Sequence, residues 1–200
     1  MKIETFCAGA LQTNCAVLYD ERDCIAVDAP YGMEQVISFI TRKKLRLRAL
    51  LLTHGHFDHV GGAQQLLRAC GNADIYLHEK DFQLAANAAR NRWNVPCENC
   101  AATQKLREGN LCVGGFRLEV LETPFHTAGS VCFIADDVLF AGDTLFKDGI
   151  GRSDFPESVP HKTQSSLQKL KALDKNYFVL CGHGENTDLN REKQFNPYLR

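Results

Sequence analysis

Three histidines and one aspartate lie close together in the stretch THGHFDHVGG, residues 53–62. His54 and His56 are two positions apart, so an extended backbone places both side chains on the same side. Asp58 and His59 follow where the chain must turn. Imidazole and carboxylate groups together suit Zn²⁺, Fe or Mn. Because such residues rarely gather at ligand spacing without a metal, the stretch predicts a metal site rather than a histidine-rich surface loop.

Three further candidate ligands stand in a similar context, each just past a predicted strand. His126 lies in TPFHTAGS, Asp143 in FAGDT and His183 in CGHG. The ends of strands are places where a sheet gathers residues that are distant in sequence. Glycines accompany these residues. Gly61 and Gly62 are expected to permit the turn after the first cluster, and the glycines beside Asp143 and His183 to allow close backbone packing.

The pattern of apolar residues predicts the elements that must position these side chains. Helices are predicted at about 33–44, 62–70, 79–91 and 159–173, while 91–103 is expected to be loop or irregular helix. Short strands are predicted at 2–6, 13–19, 23–29, 49–52, 74–78, 111–113, 116–122, 130–135, 138–141 and 177–181. Strand-rich halves with helices between them indicate an α/β or α+β domain over residues 1–200, in which sheets pack together with helices outside.

Composition and charge exclude several classes of function. Lys and Arg total 23 and Asp and Glu total 24, a net charge of −1, which provides no basic field for nucleic acid or an anionic membrane. No window approaches the ~18 apolar residues of a membrane span, and the first residues do not resemble a secretory leader. We therefore expect a cytoplasmic protein that acts on a small molecule. The sequence carries no signal for an oligomeric state.

The nine cysteines are an odd number without the spacing of a disulfide framework. Reduced thiols are therefore expected. Most should be small core residues, namely those inside apolar runs: Cys15, Cys24, Cys112, Cys132 and Cys181. Cys97 and Cys100 form a single CxxC, which without a second pair does not specify a metal or redox site.

The combined motif resembles the metallo-β-lactamase-fold hydrolases. HxHxDH, a histidine in TPxHTxGS, the aspartate of GDT and the histidine of GHG occur in this order over nearly the whole chain. The resemblance implies an αββα sandwich with the metal site at one edge of its two sheets. It also implies two ions, most simply two Zn²⁺, with Fe or Mn possible at either position. The implied ligands are His54, His56 and His126 for one ion, Asp58, His59 and His183 for the other, and Asp143 as the bridge.

Such a site has a plausible chemistry. Two ions about 3.5–4 Å apart lower the pKa of a bridging water toward ~7, which supplies hydroxide at neutral pH. An ion also polarises a carbonyl and stabilises the oxyanion that forms on attack. Asp58 is expected to orient the nucleophile or accept its proton. No GxSxG motif occurs, so serine-hydrolase chemistry has no support.

A second set of residues resembles one branch of this family, the glyoxalase II or hydroxyacylglutathione hydrolases, in their short single-domain form. These residues are GDTLF at 142–146, GIGRSDF at 149–155 and NPYL at 196–199. The branch implies thioester hydrolysis, with S-lactoylglutathione as the reference substrate. Two departures matter. Phe125 stands where the family usually has glycine, which is expected to reshape the pocket wall. No C-terminal glutathione-binding helical domain is expected, which weakens the expectation that glutathione is recognised.

The segment after Asp143 contains the candidate substrate contacts. Arg152 is either a partner for a substrate anion or a residue that ties down its own loop through Asp154. Phe146 and Phe155 either line an apolar pocket or anchor that loop. We expect His78 and His161 to be structural, and we place no site at Trp93.

Two other functions share these motifs or ligands. The persulfide dioxygenases have HxHxDH on the same fold and use one Fe(II), which here would be held by His54, His126 and Asp143. The second alternative is a protein that binds metal without catalysing a reaction. It is disfavoured because structural zinc sites are usually closed cages of four ligands. The GDTLF stretch favours the hydrolase.

Overall fold

Two six-stranded sheets pack face to face in the computed structural model, which describes residues 1–200. In the first sheet the spatial order equals the chain order: β1 (Lys2–Ala8), β2 (Thr13–Tyr19), β3 (Asp23–Val27), β4 (Arg46–Leu51), β5 (Asp74–His78) and β6 (Gln104–Leu106). The pairings of β1 with β2 and of β2 with β3 are antiparallel. From β3 to β6 the strands run parallel, so the three carboxyl ends of β3, β4 and β5 lie at one edge.

The second sheet brings two distant strands side by side. Its spatial order is β14 (Thr187–Asp188), β13 (Phe178–Cys181), β10 (Val138–Gly142), β9 (Val131–Ala135), β8 (Phe116–Glu122) and β7 (Gly109–Val113). The β10–β13 pair is parallel, and the other pairs are antiparallel. A separate hairpin, β11 (Leu145–Phe146) and β12 (Gly149–Ile150), follows β10. The residues that follow β10 and β13 therefore emerge together.

Helices cover the outer face of each sheet. They are α1 (Glu34–Lys43), α2 (Phe57–Val60), α3 (Ala63–Cys70), α4 (Phe82–Ala86), α5 (Thr163–Lys171) and α6 (Leu189–Phe195), with 3₁₀ turns at Glu79–Asp81, Ala88–Arg90 and Pro160–Lys162. Buried residues of α1 and α3 pack on the first sheet, and those of α5 and α6 on the second. The predicted αββα sandwich is confirmed. No helix is long and apolar enough to cross a membrane.

Alternation along the strands builds three apolar layers. In β3, Cys24 and Ala26 face the layer under α1, whereas Ile25 and Val27 face the layer between the sheets. In β9, Phe133 faces the middle layer, while its neighbours face the layer under α5. Successive side chains of a strand point to opposite faces, so a strand that is buried on both faces reads as a continuous apolar run. This is why the central strands are predictable from sequence.

Several elements differ from the sequence prediction. The helix predicted at 79–91 is broken into a 3₁₀ turn, α4 and a second 3₁₀ turn. The short strands β6 and β14, the β11–β12 hairpin and α6 were not predicted. These segments carry too few apolar residues to show a period, and α6 buries only Leu189 and Glu192.

Helix α6 is held by polar contacts instead of an apolar face. Glu192 is fully buried, and its Oε2 accepts from the Asp148 backbone N–H at 2.8 Å. The Asn196 amide donates to Glu192 at 2.9 Å and to the carbonyls of Phe146 and Gly149 at 3.2 and 3.0 Å. Glu192 and Asn196, which we call the C-terminal clamp, thereby fix the β11–β12 hairpin.

All nine cysteines are free thiols. Four of the five that were predicted to be core residues are buried: Cys15, Cys24, Cys132 and Cys181. The prediction is wrong for Cys112, which is exposed because β7 is the last strand of its sheet and alternates toward solvent. The Cys97 thiol donates to the Ala88 carbonyl at 3.2 Å, and Cys100 is buried in the core, so neither belongs to a cluster that could hold a metal.

Candidate metal centre

All seven residues singled out in the sequence as metal ligands meet at one edge of the sandwich. His54 follows β4, and His56, Asp58 and His59 lie at the start of α2. The second sheet supplies the remaining three, just past the ends of β8, β10 and β13: His126, Asp143 and His183. The parallel pairing of β10 with β13 explains how Asp143 and His183, forty positions apart, become neighbours.

The side chains form two separate groups of three, and a further set, His54, His59 and Asp143, overlaps both. In the first, one nitrogen each from His54, His56 and His126 lies within 4.8 Å of the others, and His56 Nδ1 is 2.9 Å from His126 Nε2. In the second group, His183 Nε2 is 3.1 Å from Asp58 Oδ2 and 3.3 Å from His59 Nε2. Each group therefore offers three ligand atoms around one small space.

Asp143 lies between the two groups and turns one oxygen to each. Its Oδ2 is 3.3 Å from His126 Nε2 in the first group. Its Oδ1 is 3.3 Å from His59 Nε2 and 3.6 Å from His183 Nε2 in the second. One carboxylate thus faces both spaces at once.

The hydrogen bonding of these atoms fits a divalent cation. His54 Nε2 and Asp143 Oδ1 are buried without a hydrogen-bond partner, which costs free energy in a folded protein unless something else satisfies them. Imidazole nitrogens also face one another across each group. A bound cation satisfies all of these lone pairs, and imidazole with carboxylate is a donor set for Zn²⁺, Fe or Mn.

The second ring nitrogen of every one of these histidines is also hydrogen-bonded. The partners, with their distances, are Thr53 Oγ1 for His54 (3.1 Å), Glu157 Oε1 for His56 (2.9 Å), Asp28 Oδ2 for His59 (2.9 Å), the Arg152 carbonyl for His126 (2.7 Å) and the Leu11 carbonyl for His183 (3.1 Å). Such contacts fix the ring orientation and the tautomer of a metal ligand. The facing nitrogens are therefore aimed before any ion binds.

Asp28 is one of the residues that sequence reasoning missed. It follows β3, is 2% exposed and has a positive φ of 58°. Besides contacting His59, it accepts from the Thr53 backbone N–H and from Thr53 Oγ1, both at 2.8 Å. Asp28 directly follows β3, which is parallel to β4, and this position at a strand end is the signal that could have identified it.

Asp81 is a second missed residue, and it joins two loops of the centre. It is 1% exposed and accepts from the backbone N–H groups of Gly55 and Gly129, each at 2.8 Å. It also accepts from Thr127 Oγ1 at 2.6 Å. The loop that contains His54 and His56 is thereby tied to the loop that contains His126. No sequence motif marks this aspartate.

Burial and neighbouring charge set the protonation of the centre. Burial, reinforced by the surrounding imidazoles, holds the pKa of His54 well below its ordinary value. Burial alone would raise the pKa of Asp143, but the nearby His59, His126 and His183 outweigh it and hold that pKa below the usual range. A neutral imidazole and an ionised carboxylate are the forms that bind metals.

A pocket of about 370 Å³ opens in front of the centre. Aromatic and aliphatic side chains line much of it: Leu11, Phe57, Trp93, Phe146, Ile150 and Phe155. Phe146 and Phe155 therefore line an apolar pocket, the first of the two predicted roles. Trp93 was not predicted to belong to a site. This sole tryptophan nevertheless lines the pocket and is 46% exposed.

Arg152 performs the loop-tying role of its two predicted roles. Its guanidinium donates to both oxygens of Asp154, at 2.7 and 2.6 Å, while its backbone carbonyl faces His126. Phe125 does not reshape the pocket wall as expected. It is fully buried in the layer under α5 and does not line the pocket. His78 accepts from the Lys80 backbone N–H at 3.3 Å, a structural role as predicted.

Glycines in this region permit close packing more than turning. Gly61 and Gly62 have ordinary negative φ angles of −67° and −98°, so the predicted need for backbone freedom is wrong. A Cβ on Gly62 would overlap the Pro30 carbonyl oxygen. At Gly182 a Cβ would overlap Asp143 Oδ1, so this position must lack a side chain.

Replacing Gly182 with alanine is expected to displace Asp143 without removing any site residue. We expect a 10- to 100-fold loss of metal affinity, the usual cost of disturbing the support of a ligand. Metal titration followed by dialysis measures it. Gly149→Ala is the matched control, since a Cβ there meets nothing within 4 Å. Equal metal affinity in the two variants would contradict the packing argument.

An αββα sandwich that gathers five imidazoles and two carboxylates at one edge defines a metal-binding protein. The sequence profile described as "Metallo-beta-lactamase superfamily" matches residues 8–183. The chain belongs to this superfamily.

Individual proteins also match nearly the whole of this chain. The sequence is 37% identical to hydroxyacylglutathione hydrolase GloC of Haemophilus influenzae, over 100% of this chain and 98% of the relative. The crystal structure of BLEG-1 B3 metallo-β-lactamase matches with a TM-score of 0.90 at 30% identity and covers 99% of both chains. TTHA1623, crystallised in a di-iron-bound form, matches with a TM-score of 0.87 at 32% identity, over 98% of this chain and 100% of its own. ETHE1 from Myxococcus xanthus shares the fold, with a TM-score of 0.80 at 24% identity, over 98% of this chain and 84% of its own.

Proposed function

We propose that this protein is a metal-dependent thioester hydrolase of the hydroxyacylglutathione hydrolase type. The position of Asp143, with one oxygen toward each group of ligand atoms, carries the proposal, because a carboxylate placed in this way suits a site for two ions. The 37% identity to GloC over the whole chain supports the thioester as the reacting group.

The proposed ligands are those that the geometry groups together. His54, His56 and His126 would hold one ion, and Asp58, His59 and His183 the other, with Asp143 shared. When bound, two divalent ions lower the pKa of a water held between them and polarise the carbonyl that is attacked. We propose Zn²⁺ at both positions, with Fe or Mn as the alternatives that metal analysis distinguishes.

Asp58 is the side chain best placed to assist the attack. It lines the pocket and lies beside His183 and His59. Burial would raise its pKa, but the two imidazoles outweigh burial and lower it, so the carboxylate is ionised at neutral pH. An ionised carboxylate at this position orients a nucleophilic water and accepts its proton. Leu11, Phe146 and Ile150 line the same pocket.

The proposed substrate is a small molecule, and the proposed compartment is the cytoplasm. The pocket of about 370 Å³ has the size of a small-molecule site. All nine cysteines are free thiols, which fits a reducing compartment.

Metal analysis beside a thioester-hydrolysis assay tests this function, with Asp58→Ala as the informative variant. We expect two Zn per chain and turnover of S-lactoylglutathione in the native protein. Asp58→Ala should bind one ion less tightly and lose at least about tenfold in rate, because it removes a ligand and the proposed proton acceptor. Asp174→Ala is the control, because Asp174 is exposed and precedes β13, whose other end leads to His183. Full rate and full metal content in Asp58→Ala would make the two-ion assignment wrong.

Iron-dependent persulfide oxidation is the second candidate, and the di-iron form of TTHA1623 supports only iron as a metal that a related site can hold. It would need only His54, His126 and Asp143 and would leave four residues without a ligand role: His56, Asp58, His59 and His183. One Fe per chain, with oxygen uptake on glutathione persulfide and no thioester turnover, would replace the hydrolase proposal.

A further inference from the structure

Two aromatic rings extend the metal centre outward along one side of the pocket. Phe155 lies 5.5 Å from the His56 ring and 5.9 Å from the His126 ring, between centroids. Trp93 continues from Phe155 at 5.8 Å in an edge-to-face arrangement and is backed by Phe57 at 5.3 Å. We call Trp93 and Phe155 the aromatic wall. An exposed tryptophan held by packed aromatic neighbours is a preformed surface for a ligand.

The Arg92 guanidinium beside the aromatic wall is already paired with a carboxylate. The Arg92 guanidinium lies 5.2 Å from the Trp93 ring and 4.9 Å from the Phe155 ring, and it donates to Glu157 at 3.1 and 3.2 Å. Glu157 in turn contacts His56. The Arg92 guanidinium therefore lies close to both rings while its charge is offset by the Glu157 carboxylate.

Arg152 on the other side of Phe155 follows the same pattern. Its guanidinium lies 4.4 Å from the Phe155 ring centroid and pairs with both oxygens of Asp154. Arg152 is the only basic residue other than histidine that lines the pocket. Asp154 occupies two of the guanidinium donors, and its negative charge opposes a substrate carboxylate that approaches Arg152.

The side of the pocket opposite the aromatic wall is also apolar. Leu11, Phe146 and Ile150 line it, and the Phe146 ring lies 6.3 Å from that of His183. Beyond the metal ligands, the pocket thus presents apolar and aromatic surface and no unpaired cation. Such a surface stabilises an uncharged apolar group, and the one cation it offers to a dicarboxylate such as glutathione is Arg152, whose charge Asp154 already offsets.

We infer that the aromatic wall selects thioesters whose group beyond the sulfur is uncharged and apolar, with that group stacked on Trp93 and Phe155. The inference rests on the proposed thioester hydrolysis. In that reaction the water oxygen forms a bond to the acyl carbon and the C–S bond breaks, with its electron pair on sulfur. The products are a carboxylate, a thiol and one released proton. The aromatic wall binds the thiol half of the substrate, so it governs KM more than kcat.

Three lactoyl thioesters that differ only in the thiol test the inference on the metal-loaded protein: those of benzyl mercaptan, N-acetylcysteamine and glutathione. We expect kcat/KM for the benzyl thioester to exceed that for the glutathione thioester by about tenfold, the size of a favourable aromatic contact with its buried area. Trp93→Ala should remove this preference through KM, and Trp93→Phe should restore most of it. Phe178→Ala, which removes an exposed aromatic at the other end of β13 from His183, is the control.

Variants of the Arg152–Asp154 pair provide an independent test. Asp154→Ala frees Arg152, so we expect kcat/KM for the glutathione thioester to rise several-fold in this variant. Arg152→Ala in the native background should change it by less than about twofold, since an exposed pair contributes little. If the glutathione thioester is preferred and Arg152→Ala lowers its kcat/KM tenfold or more, the inference is wrong.

Fluorescence of the sole tryptophan separates this inference from the proposed function. Titration with benzyl methyl sulfide, which cannot be hydrolysed, should change Trp93 emission at lower concentration than S-methylglutathione does. If no thioester is turned over, the proposed function fails, and the order of these two titrations still decides the inference. Tighter binding of S-methylglutathione would overturn it.

Discussion

Asp143→Ala is expected to lower the rate of thioester hydrolysis by at least about a thousandfold. The carboxylate faces both groups of ligand atoms, with 3.3 Å from Oδ2 to His126 Nε2 and 3.3 Å from Oδ1 to His59 Nε2. Its removal weakens both proposed ion sites at once. A contribution of several kcal/mol from metal activation corresponds to about three powers of ten in rate.

The metal content of Asp143→Ala is the accompanying measurement, and it should fall below that of Asp58→Ala. Asp174→Ala should behave as the native protein in both assays. If Asp143→Ala retains two ions and a rate within tenfold of the native protein, Asp143 does not bridge and the two-ion site must be abandoned.

Asp28→Ala is expected to produce the largest loss of stability, about 3–5 kcal/mol in the free energy of unfolding, the cost of removing one partner from a buried charged network. It leaves the Thr53 N–H, Thr53 Oγ1 and His59 Nδ1 without their acceptor at buried positions. Denaturant unfolding after chelation measures the loss without any contribution from metal.

Asp136→Ala is the matched control for Asp28→Ala. Asp136 also has a positive φ, 51° against 58°, but it lies in the exposed β9–β10 turn. The Asp136→Ala variant should lose only ~1 kcal/mol in the free energy of unfolding, the cost of a strained backbone. Asp28→Asn keeps an oxygen acceptor and should fall between the two. Equal losses for Asp28→Ala and Asp136→Ala would show that the buried hydrogen bonds add no net stability.

The sequence predicts the ligand cluster well because two simple rules apply to it. HxHxDH concentrates four of the seven residues in one stretch. Asp143 and His183 each follow an apolar run that is buried on both faces, and His126 follows β8, whose residues alternate between buried and exposed. Because strand ends meet at the edges of a sheet, local patterns are enough to place His126, Asp143 and His183.

The supporting residues could not be predicted by the same rules. Asp28, Asp81 and Glu157 are single carboxylates in unrelated stretches, and each gains its role from a donor at least 25 positions away. Trp93 lies in a polar segment without periodicity, and only the fold brings it against Phe155. Their roles depend on long-range contacts that no local pattern encodes.

The C-terminal clamp makes the pocket dependent on residues that never touch it. Glu192 and Asn196 hold the β11–β12 hairpin, which supplies Phe146 and Ile150 to the pocket. Leu189 is the only residue of α6 that belongs to one of the three apolar layers. Limited proteolysis that trims the chain before Glu192 would therefore leave all seven ligand residues in the chain, yet remove both clamp residues and the buried Leu199. The side of the pocket that Phe146 and Ile150 form would lose its support although no ligand residue had been cut.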